Sequence, residues 1–318
     1  MSAASALLLR SLLFAPGNEP RKIDKVATFG ADGIILDLED AVPDAAKVAA
    51  RGLVKAALSR PHGGFVAVRV NGLHTGLTEG DVAGIVAPGL DGVVLPKTES
   101  AEHIRTLDAL LVRAEADAGL ARGQLKILPL VETARGLLAG PEIAAASPRI
   151  VTLCFGSGDF TRDLDLPSLR WSVDGTELFY ARSRMVVDAR SAGRARPIDG
   201  PFLSVRDAAG FEADCLVAHK IGFQGKLCIH PAQVAAANRL FAPESRRGRL
   251  LPARRGRIRR GGGPRLRIHH GGRRVRGLSD RGEGRAHRQD RRDTHGPGRR
   301  RAAGLSEGYE SQKYDLSY

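Results

Sequence analysis

The sequence is poor in the residues that would place it in several large protein classes. Its three cysteines, Cys154, Cys215 and Cys228, are odd in number, far apart and set in apolar runs. That pattern excludes a disulfide framework and a Cys-x-x-Cys metal or redox motif, and it leads us to expect buried, reduced thiols in a cytoplasmic protein. Aromatic residues make up only 5% of the chain. No apolar stretch approaches the ~18–20 residues of a membrane span, so no membrane partner is expected. The N-terminal apolar run is broken by Arg10 and lacks a basic start; it reads as a first strand rather than a signal peptide. After it stands Phe14-Ala15-Pro16-Gly17-Asn18, with no Gly-x-Gly-x-x-Gly turn. This absence weighs against the competing fold, an open doubly wound sheet with a phosphate cradle.

Charge divides the chain in two. The net charge is +14 over 318 residues, yet residues 1–243 hold 27 Lys and Arg against 27 Asp and Glu. The excess therefore lies in residues 244–318, with 22 basic residues against 8 acidic ones. A barrel of about 250 residues with an appendage fits this length.

Within residues 1–243, short β-type runs alternate with longer helical patterns. The runs are Ser11–Pro16, 33–38, 65–70, Gly92–Leu95, 127–131, 150–155, 197–202 and 226–229. The clearest helix spans 101–118: Ile104, Leu107, Leu111 and Ala114 form an apolar stripe, Glu102, Arg105, Asp108 and Glu115 the expected wet side, and Ser100 an N-cap. Eight strands alternating with helices predict an α/β fold, a parallel (β/α)₈ TIM barrel.

Such barrels carry their active residues where strands end. Those ends read Asp37-Leu38-Glu39-Asp40, Arg69-Val70-Asn71, Pro96-Lys97-Thr98-Glu99, Glu132, Asp159, Asp199 and His230. Individually each has a plain alternative: Asp40 as a helix cap, Lys97 as a solvated loop charge, His230 as a satisfied histidine beside Pro231. As a set they describe a site. Glu132 and Asp159 follow successive β-type runs; on neighbouring parallel strands they would emerge at the same end, about one or two strand spacings apart. Two hard oxygen donors suit a Mg²⁺ completed by substrate and water. Arg69 adds a planar fork for an anionic substrate.

The residues also carry a resemblance. Arg10-Ser11-Leu12-Leu13-Phe14-Ala15-Pro16-Gly17, Asp37-Leu38-Glu39-Asp40-Ala41-Val42, Arg69-Val70-Asn71, Pro96-Lys97-Thr98-Glu99, Glu132-Thr133-Ala134-x-Gly136, Phe155-Gly156-x-Gly158-Asp159-Phe160 and Gly225-Lys226-x-Cys228-Ile229-His230-Pro231-x-Gln233 resemble the citrate lyase β-subunit family of the HpcH/HpaI aldolase superfamily. The resemblance implies a barrel that assembles as a homo-trimer or homo-hexamer. It implies a lyase that cleaves a 3-hydroxyacyl-CoA thioester such as citryl-, malyl- or citramalyl-CoA, with a 2-keto acid aldolase of the same superfamily as the alternative. By position, Glu132 and Asp159 match the Mg²⁺ ligands and Arg69 the arginine that grips the substrate carboxylate, giving Arg69, Glu132 and Asp159 as catalytic residues and Arg69 and Glu132 as substrate-binding. Asp37, Glu39 and Asp40 fall near enough to hold metal-bound waters or to orient Arg69. The connection 161–176, with Asp163, Asp165 and Trp171, has the length of a segment that shapes a pocket.

The match stops after Asn238-Arg239-Leu240-Phe241-Ala242-Pro243. From residue 244 onward there are 21 Arg and 14 Gly in 75 residues, and only nine Leu, Ile and Val. In the family this segment is a helical arm and lid carrying an aspartate that completes a neighbour's site; Asp280, Asp290 and Asp293 lie in unrelated surroundings. Arginine and glycine have GC-rich codons, so the segment reads as a GC-rich coding region translated out of frame, too poor in apolar residues to build a core. A basic nucleic-acid-binding arm is the other interpretation. The absence of Phe, Trp and Tyr between residues 244 and 308 argues against it, because single-strand binders pair arginine with stacking aromatics.

Overall fold

The structure, a computed structural model, describes residues 7–168, 171–172 and 174–243. The basic segment 244–318, with its expected lack of a core, lies outside the described residues. Eight parallel strands close a barrel in sequence order: β1 (Ser11–Pro16), β2 (Gly33–Asp37), β3 (Phe65–Arg69), β4 (Gly92–Leu95), β5 (Lys126–Val131), β6 (Cys154–Phe155), β7 (Ile198–Asp199) and β8 (Gly225–Cys228). The described helices are α1 (Pro20–Val26), α2 (Lys47–Leu58), α3 (Thr78–Ile85), α4 (Ala101–Asp117), α5 (Ala134–Leu138), α6 (Gly140–Ala145), α7 (Ser157–Asp163), α8 (Thr176–Ser191), α9 (Ala208–Ile221) and α10 (Val234–Leu240).

Side-chain alternation along each strand sorts the core into two layers. Leu12, Phe14, Ile35, Ala67, Val94, Leu128, Leu130, Ile198 and Leu227 fill the barrel interior. Leu13, Leu36, Val68, Val93, Leu95 and Val131 face the helices. In α4, Ile104, Leu107 and Leu111 are fully buried, each contributing about 1.5–3 kcal/mol of apolar burial. The Ser100 hydroxyl accepts the His103 N–H at 3.2 Å, capping this helix as expected.

Three expectations change. Glu115, assigned to the wet side of α4, is buried: its oxygens accept from Arg149 at 2.6 and 2.7 Å and from the Gly123 and Leu125 N–H groups at 2.8 Å. The run 197–202 supplies only a two-residue strand, because Pro197 and Pro201 on either side have no N–H to extend the ladder. The run 150–155 likewise narrows to Cys154–Phe155, with Ile150 joined to Ile127 by a single bridge.

Candidate active site

Asp37 ends β2 and Arg69 ends β3, and parallel register sets them opposite each other. Arg69 donates through Nε and Nη2 to the two Asp37 oxygens, both at 2.6 Å. Its Nη1 lies 3.0 Å from Glu39 Oε2 and 3.5 Å from Asp40 Oδ2. The guanidinium carbon sits 5.0 Å from the Phe14 ring centre. Asp37 also accepts the Glu39 and Ala41 N–H groups at 3.0 Å. Burial alone would raise its carboxyl, but Arg69 and these N–H groups more than offset that and hold it below the usual range. The Arg69 guanidinium is driven the other way: desolvation would weaken it, and the surrounding carboxylates keep it firmly charged.

A second network fixes the loops beneath. The Lys47 ammonium donates to Asn71 Oδ1 at 2.6 Å and to the Glu39 carbonyl at 2.9 Å. Asn71 donates through Nδ2 to the Leu38 carbonyl at 3.0 Å and to Asp81 at 2.8 Å. Asn71 was placed at a strand end by the sequence; Lys47 and Asp81 were not, because both sit inside helical patterns whose buried ends carry no sequence mark.

Glu132 follows β5 directly, and Thr133 behind it starts α5, its hydroxyl accepting the Gly136 N–H at 3.0 Å. Glu132 is 1% exposed. Its Oε1 accepts the backbone N–H of Lys97 at 2.7 Å. Lys97 holds φ at +46°, one of two described non-glycine residues in the left-handed region, a conformation that costs on the order of 1–3 kcal/mol. Its ammonium reaches Glu39 Oε1 at 3.1 Å. Glu39 is pushed up to about 7 by burial, against the pull of Arg69.

β5 and β6 are paired, with Val131 opposite Phe155, so Glu132 and Asp159 do leave neighbouring strands at one end. Between them lies Gly156, where a Cβ would stand 2.4 Å from Glu132 Oε2; only glycine leaves the carboxylate its place. Asp159, in the first turn of α7, accepts Arg162 Nη1 at 2.5 Å. Burial first, then the charge of Asp159, raises the Glu132 carboxyl well above the usual range. Asp37, Arg69 and Glu132 line a cavity whose walls include Phe14, Leu130, Leu227 and Ile229. Asp159 is not among its lining residues and meets the site through Glu132.

Two strand-end residues fall outside this constellation. Asp199 turns to the helix side, where Arg182 donates to both its oxygens at 3.0 Å and Lys226 pairs with it. His230 accepts the Ala232 N–H and caps the turn that follows β8. Trp171, expected to shape the pocket, instead donates Nε1 to Asp214 at 3.0 Å and stacks near Arg182 and Phe202. Asp163 ends α7 and accepts the Ala134 N–H at 2.6 Å.

Among the described residues no group of three or more His, Cys, Asp and Glu side chains converges as a metal cage. Glu132, which is buried, and Asp159, which is half-buried, are a pair of hard oxygen donors with no third carboxylate among the described residues to close the shell. That donor set fits an ion that keeps positions for substrate and water, as Mg²⁺ does, and does not fit a closed structural zinc site.

A closed (β/α)₈ barrel with an acidic, arginine-bearing pocket at its C-terminal end defines a class of lyases and aldolases, and the chain belongs to the HpcH/HpaI aldolase/citrate lyase family, which it matches over residues 10–231. Among its relatives, citrate lyase subunit beta of Leuconostoc mesenteroides subsp. cremoris is 37% identical over 74% of this chain and 78% of its own length. The L-malyl-CoA/beta-methylmalyl-CoA lyase of Rhodobacter capsulatus is 34% identical over 76% of this chain and 81% of its own. The solved structure of the citrate lyase beta subunit from M. tuberculosis, complexed with oxaloacetate and magnesium, superposes with a TM-score of 0.61 at 30% identity, covering 74% of this chain and 98% of that one.

Proposed function

We propose that this protein is a Mg²⁺-dependent carbon–carbon lyase acting on a 3-hydroxyacyl-CoA thioester, with Glu132 and Asp159 as metal ligands and Arg69 as the carboxylate-binding group. The observation that carries this reading is a desolvated Glu132, raised further by the charge of Asp159, lining one pocket with an Arg69 fixed by Asp37. The names of the relatives support the substrate class, and the oxaloacetate and magnesium of the solved citrate lyase beta subunit support the ligand pair.

The cleavage breaks the bond between the hydroxyl-bearing carbon and the α-carbon of the thioester. The hydroxyl gives up its proton, its oxygen becomes a carbonyl, and the bonding pair leaves on the α-carbon as a thioester enolate that then takes a proton. Bound Mg²⁺ would supply Lewis-acid stabilisation of the developing negative charge. The protein's own groups do the rest. Asp37 locks the guanidinium plane through two bonds, so Arg69 stays fixed while its Nη1, which faces Glu39 and Asp40, turns over to a substrate carboxylate. Phe14, Leu130, Leu227 and Ile229 keep the cavity walls dry, which strengthens those contacts.

We place the protein in the cytoplasm, where three buried free thiols remain reduced, and as a homo-trimer or homo-hexamer. No described helix is long and apolar enough to cross a membrane. Residues 244–318 we assign to a segment separate from the barrel domain 1–243. Single-turnover reactions with enzyme in excess over citryl-, malyl- and citramalyl-CoA test the reading. Magnesium-dependent release of acetyl-CoA and a keto acid from one of them is expected; no cleavage of any ester and no Mg²⁺ binding overturns it.

A further inference from the structure

Lys97 joins the two halves of the pocket, and neither the donor pair nor the arginine clamp includes it. Its backbone N–H is bonded to Glu132 at 2.7 Å and its ammonium to Glu39 at 3.1 Å. Glu39 in turn faces Arg69 Nη1 at 3.0 Å through its other oxygen. One residue thus touches the carboxylate on the metal side with its main chain and the carboxylate on the anion side with its side chain. The two contacts point in different directions from a single Cα, and the left-handed backbone at φ +46° is what allows both. Neighbouring groups hold that backbone: the Thr98 N–H donates to the Leu130 carbonyl at 3.1 Å, and the Thr98 hydroxyl to the Leu95 carbonyl at 2.8 Å. A Cβ at Gly136 would stand 2.5 Å from the Thr98 carbonyl, so α5 presses against this turn only because position 136 is glycine.

The charges around Lys97 give its side chain a further consequence. Asp37, Glu39 and Asp40 crowd the anion end, and Arg69 is already shared among these three carboxylates. A substrate carboxylate therefore approaches a region rich in negative charge. The Lys97 ammonium is the second cation held there; Glu39 and Asp40 outweigh the effect of its partial burial and keep it charged.

We propose that Lys97 is a positioning residue with two separable parts: a left-handed main chain that orients Glu132 for the metal, and an ammonium that holds Glu39 and lets Arg69 accept a substrate carboxylate. The inference rests on the metal and anion assignment made above. It goes beyond it by naming the group that keeps the two in register.

The test uses calorimetry on the full chain, with Mg²⁺ alone and with oxalate in the presence of Mg²⁺ as probes. In Lys97→Gly the backbone conformation and the N–H persist while the ammonium is lost. Magnesium affinity is expected to stay within about twofold of the parent, and oxalate affinity to fall about tenfold, the scale of one partly screened charge a few ångströms from an anion. Lys97→Arg restores a cation and is expected to recover most of the loss, which a residue that only stabilises the fold would not do. Unchanged oxalate affinity in Lys97→Gly, or loss of Mg²⁺ binding in that variant, overturns the proposal. A parent protein that binds neither probe overturns the underlying site assignment instead, so the two failures are told apart.

Discussion

Asp37 and Arg69 meet through two 2.6 Å hydrogen bonds across the C-terminal ends of adjacent strands, and the pair is almost wholly buried. Arg69→Lys keeps the charge and loses the fork. Oxalate binding in the presence of Mg²⁺ is expected to weaken by about 1–3 kcal/mol, the range for a charge-assisted hydrogen bond. Calorimetry reads this directly, and an equally tight complex would show that the guanidinium does not contact the anion.

Glu132→Gln and Asp159→Asn are each expected to abolish measurable Mg²⁺ binding while the far-ultraviolet dichroism and melting temperature stay close to the parent's. Strand-end carboxylates of a barrel serve the site more than the core. Retained Mg²⁺ affinity in both variants would remove the assignment.

Gly156→Ala probes the same carboxylate from the other side. The added methyl would stand 2.4 Å from Glu132 Oε2 and 2.5 Å from its Cβ, so Glu132 has to turn away. Magnesium affinity is expected to drop at least tenfold, an effect of about 1.4 kcal/mol or more on the binding free energy. An unchanged isotherm would mean that Glu132 does not bind the ion from its present position.

Acid stability has a defined source on the opposite layer of the barrel. Asp214 is carried against burial to about 2 by Lys226 and Arg182. A depressed carboxylate pKa contributes stability above its unfolded value of about 3.9 and loses it as pH falls through the folded value. The stability gap between the parent and Asp214→Asn is therefore expected to be full at pH 7, to narrow below about pH 4 and to be lost only once the pH falls below the folded value of about 2. Denaturant titrations across that range check it; a constant gap would contradict the assignment.

The reading frame gives the fifth expectation. If residues 244–318 do not supply the lid aspartate that the resemblance implies, turnover by the 318-residue chain is expected to fall short of a family member that has it by about 10²–10⁴. Resequencing the coding region downstream of Pro243 decides the frame, and a confirmed frame with full turnover would refute the expectation.

Much of the barrel was written in the sequence because its strands are short apolar runs ending in polar residues. β1 and β4 fall where the pattern placed them, and Ser100 and Thr133 cap the helices they precede. Arg69 and Glu132 come to one pocket because strand order equals chain order, and Asp159 meets it only through Glu132. Asp199 eluded the same logic, since the end of a strand fixes height in the barrel but not which face a side chain takes; one residue of alternation sends it to the helices. Trp171 and Glu115 were misjudged for a related reason. Their buried polar partners, Asp214 and Arg149, come from segments 43 and 34 residues away, beyond any local periodicity.

The ion cluster on that helix side has a consequence for how the barrel closes. Arg182 of α8, Asp199 of β7, Asp214 of α9 and Lys226 of β8 bring two positive and two negative charges together out of water. Any three of them leave a net charge buried, which costs several kcal/mol. Residues 176–228 thus cannot dock one segment at a time: the final two strands and the helices α8 and α9 must arrive as a unit. The β7–β8 side of the barrel behaves as a cooperative lock whose four charges balance only as a set.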